Sequence, residues 1–204
     1  MKLYEMAVTP NCHRVNIFLN ELGITLEHVH VDVRAGENLT ADFASKSANG
    51  RVPTLQLDDG TFICESIAIC RYFDELQLSE NSLFGHGAVE RAQVEMWNRI
   101  VEFNGLTMAS SALRNITGVY KDRETCIPAW GEECKLRVQA FLPQLEQQLS
   151  KADFIIGAKF TVADITAWIF VSFCENRLGL PVQSQYPAIA AWYQQLAQRP
   201  AFAA

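Results

Sequence analysis

Long apolar runs, paired cysteines and an excess of positive charge are all missing from this sequence, and each absence removes a class of function. No stretch stays free of charges and polar breaks for the roughly 20 residues that a membrane-spanning helix requires. Met1-Lys2-Leu3-Tyr4-Glu5-Met6 does not lead into the apolar core of a secretory leader, so a cytoplasmic protein is expected. Six cysteines, Cys12, Cys64, Cys70, Cys126, Cys134 and Cys174, are scattered without a C-x-x-C pair or a metal-ligand spacing. Neither a disulfide framework nor a metal is therefore expected, and most of these thiols read as small apolar fillers. The charged fraction, 20%, lies below the average of about 25%. A net charge of -6 disfavours a nucleic acid backbone as partner. No internal repeat recurs at a fixed period.

What is present divides in two. A chain of 204 residues, 49% hydrophobic, can bury two modest cores. From Lys2 to about Leu78, short β-rich runs alternate with helical stretches, whereas beyond about Gly87 apolar residues recur only at helical spacing. The glycine-bearing segment Asn81–Gly87 marks the seam. The expected domains are residues 1–79 and 88–204.

In the first half, Lys2–Met6 reads as a strand, His13–Leu22 as a helix closed by Gly23, and Leu26–Asp32 as a second strand. Asp58-Asp59-Gly60 between Thr54–Leu57 and Thr61–Cys64 predicts a hairpin, and a helix follows from Glu65 to about Leu76. A helical crossover joins parallel strands and a short turn joins antiparallel ones, so this order builds a small mixed sheet on the thioredoxin plan. The second half predicts helices over Ala88–Ala109, Glu132–Leu149, Val162–Asn176 and Pro187–Gln198. In the third of these, Thr161 and Asp164 have the spacing of a capping box, with Phe160 and Ile165 as a hydrophobic staple.

Three segments of the first half should meet at one end of the sheet, where loops beyond strand ends form a crevice. Val52-Pro53 precedes a strand. If that bond is cis, the backbone of Val52 can pair with an extended peptide; a trans bond would make it an ordinary strand boundary. Glu65-Ser66 opens a helix, whose unpaired N–H groups welcome a carboxylate while Glu65 receives an amino group; the plain alternative is a simple N-terminal cap. Thr9-Pro10-Asn11-Cys12-His13-Arg14 clusters a hydroxyl, an amide, a thiol and a cation at a helix start. A hydrogen bond to a thiolate is worth roughly 1.5–3 kcal/mol, or about one to two pKa units, so Thr9, assisted by Asn11, has the means to ionise a bound thiol. Cys12 competes as a nucleophile in its own right, or serves as filler.

These motifs, in this order, resemble the cytosolic glutathione transferases over essentially the whole chain. Thr9 stands six residues before the apolar Val15, as the activating residue of that family does. Gly50-Arg51-Val52-Pro53 is similar to its G-x-V-P segment with a cis-proline, and Glu65-Ser66-Ile67-Ala68-Ile69 to its E-S-x-A-I segment. Thr161-Val162-Ala163-Asp164 matches its interior capping box, and Trp192 with Arg199-Pro200 its closing helix. The resemblance implies a thioredoxin-like glutathione-binding domain followed by an all-helical domain, usually in a homodimer, with glutathione as co-substrate and no cofactor. It implies Thr9 and Asn11 as catalytic, and Cys12, Asn38, Arg51, Val52, Pro53, Glu65 and Ser66 at the tripeptide. Phe103, Met108, Ser111 and Tyr120 are implied, by position, around a small hydrophobic electrophile. Asn38 stands where a basic side chain often grips the glycine carboxylate, and Lys46 or Arg51 are the substitutes at hand. Thr9-Pro10-Asn11 also resembles a bacterial branch that reduces disulfides with glutathione, and Asp32–Leu76 an atypical fungal branch lacking the usual activator.

Overall fold

The computed structural model describes residues 1–77 and 82–203. The chain divides into two compact units, Met1–Ser82 with Pro200–Ala204, and Leu83–Arg199. The limit expected at residue 79 and the expected start of the linker at Asn81 lie outside the described residues.

The first unit is built on four strands, β1 (Lys2–Glu5), β2 (Glu27–His30), β3 (Thr54–Gln56) and β4 (Phe62–Cys64), in the order β2-β1-β3-β4. β1 and β2 run parallel through a helical crossover, and the other two pairs are antiparallel. The Asp58-Asp59-Gly60 turn falls between β3 and β4 as expected, with Gly60 at a φ of 88° that a side chain would oppose. Helix α1 spans Pro10–Glu21 and α3 spans Ser66–Gln77, with the single turn α2 (Ala41–Ala44) between them in sequence. Leu3, Val15, Phe18, Leu55, Ile69 and Phe73 form the core where α1 and α3 pack together and against the sheet. The closing turn Pro200–Phe202 also packs on α1, burying Ala201 and Phe202.

α1 starts three residues before the expected His13. Proline supplies the reason: at the first helical position its missing N–H is one that the helix leaves unpaired anyway. The same chemistry moves the start of α6 (Pro128–Leu149) ahead of the expected Glu132.

The second unit contains α4 (Gly87–Val101), α5 (Thr107–Thr117), α6, α7 (Val162–Leu178), the one-turn α8 (Val182–Gln185) and α9 (Pro187–Ala197). The helix expected over 88–109 is interrupted by a π turn at Glu102–Leu106, after which α5 continues to Thr117. Within it, Gly105 lies so close to the Phe170 ring that a Cβ there would fall 3.1 Å from the ring. α7 is the axis of this unit, with Ile165, Ala167, Phe170 and Val171 fully buried. At its start the buried Asp164 accepts four hydrogen bonds. Oδ2 takes the N–H and hydroxyl of Thr161, both at 3.0 Å, and Oδ1 takes the Ile155 N–H at 2.9 Å and Trp192 Nε1–H at 3.2 Å.

Candidate functional site

Strand register decides what meets at the crevice. Tyr4 on β1 pairs with Thr54 on β3, which pairs with Cys64 on β4. The residues just beyond this row, the Met6–Thr9 loop, Val52-Pro53 and Glu65-Ser66, must therefore emerge at the same end of the sheet.

Thr9 is the N-cap of α1. Its hydroxyl donates to the Met6 carbonyl at 2.9 Å, and that carbonyl also receives the Thr9 N–H at 2.8 Å. The hydroxyl can turn away without orphaning the carbonyl. Asn11 is exposed, two residues into the helix. Cys12 is fully buried, and burial pushes its thiol up to about 11, with the Thr9 hydroxyl pulling the other way. Such a thiol stays protonated at neutral pH and touches no solvent. Burial also lowers the His13 imidazole, which is therefore neutral near pH 7 and adds no cation at this helix start.

The Val52-Pro53 peptide is cis, and neither the N–H nor the carbonyl of Val52 makes a hydrogen bond among the described residues. Its backbone can take both a donor and an acceptor from an extended peptide. Arg51 is held through its main chain: its N–H donates to Ser47 Oγ and Asn49 Oδ1, and its carbonyl accepts from Ser47 and Thr54. The exposed guanidinium of Arg51 has no ion-pair partner among the described residues. Asn38 donates to the Gly50 carbonyl at 2.7 Å and so braces this loop, with its Oδ1 buried. Lys46 is engaged by Asp42 one helical turn back.

Glu65 is the one non-glycine residue with a positive φ, 70°, among those described. A side chain in that region costs on the order of 1–3 kcal/mol and is kept where the surroundings impose it. Here Asn49 Nδ2 donates to Glu65 Oε1 at 2.6 Å, tying the strained residue to the Ser47–Arg51 loop. Ser66 follows as the first residue of α3, almost wholly buried, and its Oγ accepts from Arg14 Nη1 at 2.8 Å.

Asn49 is the participant that motif reading passed over, and Arg14, read there only as the cation of the Thr9–Arg14 cluster, is found holding Ser66. Asn49 carries no sequence signal, because its role depends on a loop folding back. Arg14 does carry one: it occupies the helical face of Ile17 and Phe18, where a charge needs a buried partner.

The residues expected around a second substrate all lie in the second unit. Met108 and Ser111 are one turn apart on α5, half-buried, while Phe103 is exposed in the π turn. Tyr120 is contacted by the guanidinium groups of Arg114 and Arg123, whose Cζ atoms lie 5.2 and 5.5 Å from its ring centre. Among the described residues, no cluster of His, Cys, Asp and Glu has the geometry to hold a metal, and no helix is long and apolar enough to cross a membrane.

Known proteins share this fold and much of this sequence. Residues 8–76 match the family model described as Glutathione S-transferase, N-terminal domain, and residues 128–195 the one described as Glutathione S-transferase, C-terminal domain. Glutathione S-transferase 2 of Saccharomyces cerevisiae is 28% identical, the alignment covering 98% of this chain and 87% of the yeast protein. The crystal structure of a class Gtt2 glutathione S-transferase of Vibrio parahaemolyticus superposes with a TM-score of 0.88 at 51% identity, over 99% of this chain and 95% of that one. The glutathione transferase URE2P6 of Phanerochaete chrysosporium, solved in complex with oxidized glutathione, is 28% identical with a TM-score of 0.86, over 99% of this chain and 92% of that one. A four-stranded mixed sheet followed by helices, both domain models in the right order and half of all positions shared with one relative lead to a single assignment: the chain belongs to the glutathione S-transferase family.

Proposed function

We propose that this protein is an enzyme that ionises bound glutathione and adds its thiolate to small hydrophobic electrophiles. The observation that carries this reading is the Tyr4–Thr54–Cys64 row, beyond which Thr9, the unpaired backbone of Val52 and the Glu65-Ser66 helix start share one sheet end. Glutathione lies extended there in this reading. Its cysteinyl N–H and carbonyl pair with Val52, its γ-glutamyl carboxylate meets the Ser66 hydroxyl and the α3 N-terminus, and its amino group faces Glu65. Arg51, exposed and free of ion pairs among the described residues, takes the glycine carboxylate in preference to Asn38 or Lys46, whose donors are in use. The Thr9 hydroxyl turns from Met6 to the sulfur, with Asn11 beside it. Phe103, Met108 and Ser111 are the proposed contacts of the electrophile; a homodimer in the reducing cytoplasm completes the reading.

Once the thiol is ionised, its lone pair attacks the electrophilic carbon. The displaced group leaves with its electron pair, or, in an addition, a proton from water completes the product. The test is turnover of a small aromatic halide at saturating glutathione, together with ultraviolet thiolate absorbance across pH. Conjugation, with a bound thiol ionising below its free pKa, is the expected result; glutathione binding with no turnover of any electrophile or disulfide would leave a non-catalytic ligand-binding protein. A second reaction, reduction of disulfides by two glutathiones, is favoured by the complex of the Phanerochaete relative with oxidized glutathione. It is recognised by disulfide turnover exceeding conjugation.

A further inference from the structure

We infer that Arg14 is a positioning residue for the γ-glutamyl carboxylate, acting through Ser66: by donating to the serine oxygen it leaves the hydroxyl proton for the ligand. This inference rests on the reading of the crevice as a glutathione site and adds a residue that does not touch the tripeptide. Arg14 has no exposed surface, and its Nη1 lies 2.8 Å from Ser66 Oγ. A guanidinium only donates, so the contact consumes a lone pair of the serine and never its proton. That proton has no acceptor among the described residues, although Ser66 is only 4% exposed.

A hydroxyl in an apolar setting normally spends its proton on whichever acceptor is nearest, often a carbonyl one turn back on its own helix. Here the charge-assisted bond from Arg14 fixes the oxygen from the core side, so the O–H vector is free to point to the mouth of the helix. There it joins the unpaired N–H groups of the first turn of α3. Arg14 is thus expected to act on the carboxylate of the ligand and on no other part of it.

The experiment compares two probes by calorimetry: glutathione, and 4-aminobutanoyl-cysteinylglycine, which keeps the amine, thiol and glycine but lacks the γ-glutamyl α-carboxylate. The wild type should prefer glutathione, and Arg14→Gln should lose about tenfold of that preference while binding the analogue unchanged. In a Ser66→Ala background, Arg14→Gln should cost markedly less, since the coupling runs through the hydroxyl. Equal losses for both probes would make Arg14 a purely structural residue and overturn the inference. If Arg14→Gln does not fold, Arg14→Lys keeps a charged donor for Ser66 and should keep most of the preference, and an equal weakening of both probes in that variant overturns the inference. The wild type supplies a measurement free of substitution: the guanidinium nitrogen resonances of Arg14 should move with glutathione and stay in place with the analogue, and movement with both overturns it. Failure of the wild type to bind glutathione at all is a separate outcome, which removes the glutathione reading and this inference with it.

Discussion

Asp164 shows how one buried carboxyl can be both satisfied and shifted. Four donors converge on its two oxygens, yet burial outweighs them and pushes its pKa up to about 6. The folded state therefore holds a proton between about pH 4 and 6 that the unfolded chain has released, and the Asp164 contribution to stability falls as pH rises through that window. The protonated form keeps every bond, because its O–H can donate to Thr161 Oγ while the same oxygen still accepts the Thr161 N–H. An amide nitrogen cannot accept. Asp164→Asn is accordingly expected to lose about 2 kcal/mol in denaturant unfolding at pH 7, and to flatten the pH slope between 4 and 6. Thr9 is tested at the same scale. Thr9→Ala should raise the pKa of bound glutathione by about one unit, read as thiolate absorbance, because one donor to the sulfur is lost. Cys12→Ala should leave that titration in place, since the Cys12 thiol is fully buried and held protonated. A titration that shifts only with Cys12→Ala would reverse the assignment of the two residues.

At the scale of elements, close approach matters more than propensity. Gly131 lies in α6 where a Cβ would stand 2.7 Å from Ile116 Cγ1 and 2.9 Å from the Ile116 backbone nitrogen in α5. Alanine is a better helix former by about 1 kcal/mol, but a backbone atom cannot step aside without moving α5, and overpacking of this kind costs about 1–3 kcal/mol. Gly131→Ala should lower the melting temperature despite the gain in propensity. The sequence announces elements whose signal is local. The Asp-Gly hairpin and the helix before Gly23 are legible because each rests on a turn residue with a backbone requirement. The starts of α1 and α6 are less so, because proline reads as a breaker unless its fitness for the first helical position is weighed. The π turn at Glu102–Leu106 is not legible, since no turn residue with a backbone requirement announces it and the Phe170 ring that Gly105 approaches is distant in sequence. In the crevice the residues that carry charge or a special backbone are legible. What holds them in place is not: Asn49 is recognised only when the loop is seen folded back, and the bond from Arg14 to Ser66 only when the two helices are seen together.

For the whole molecule, the feature with the widest reach is the closing turn Pro200–Phe202. It follows the helices of the second unit in sequence and belongs to the first unit in space, with Ala201 and Phe202 each only 6% exposed. Removing residues 200–204 should cost about 2 kcal/mol, mostly the burial of one phenylalanine, and should speed amide exchange in α1 more than in α7. Equal acceleration in both helices would mean that the tail supports the protein generally and α1 no more than the rest. The order of synthesis then acquires a physical meaning. At roughly 5–20 residues per second, the nascent chain passes Ser82 on the order of ten seconds before the ribosome reaches Pro200. The first unit waits through that interval with the Phe202 side of α1 uncovered, and is sealed only when translation of the other unit is complete.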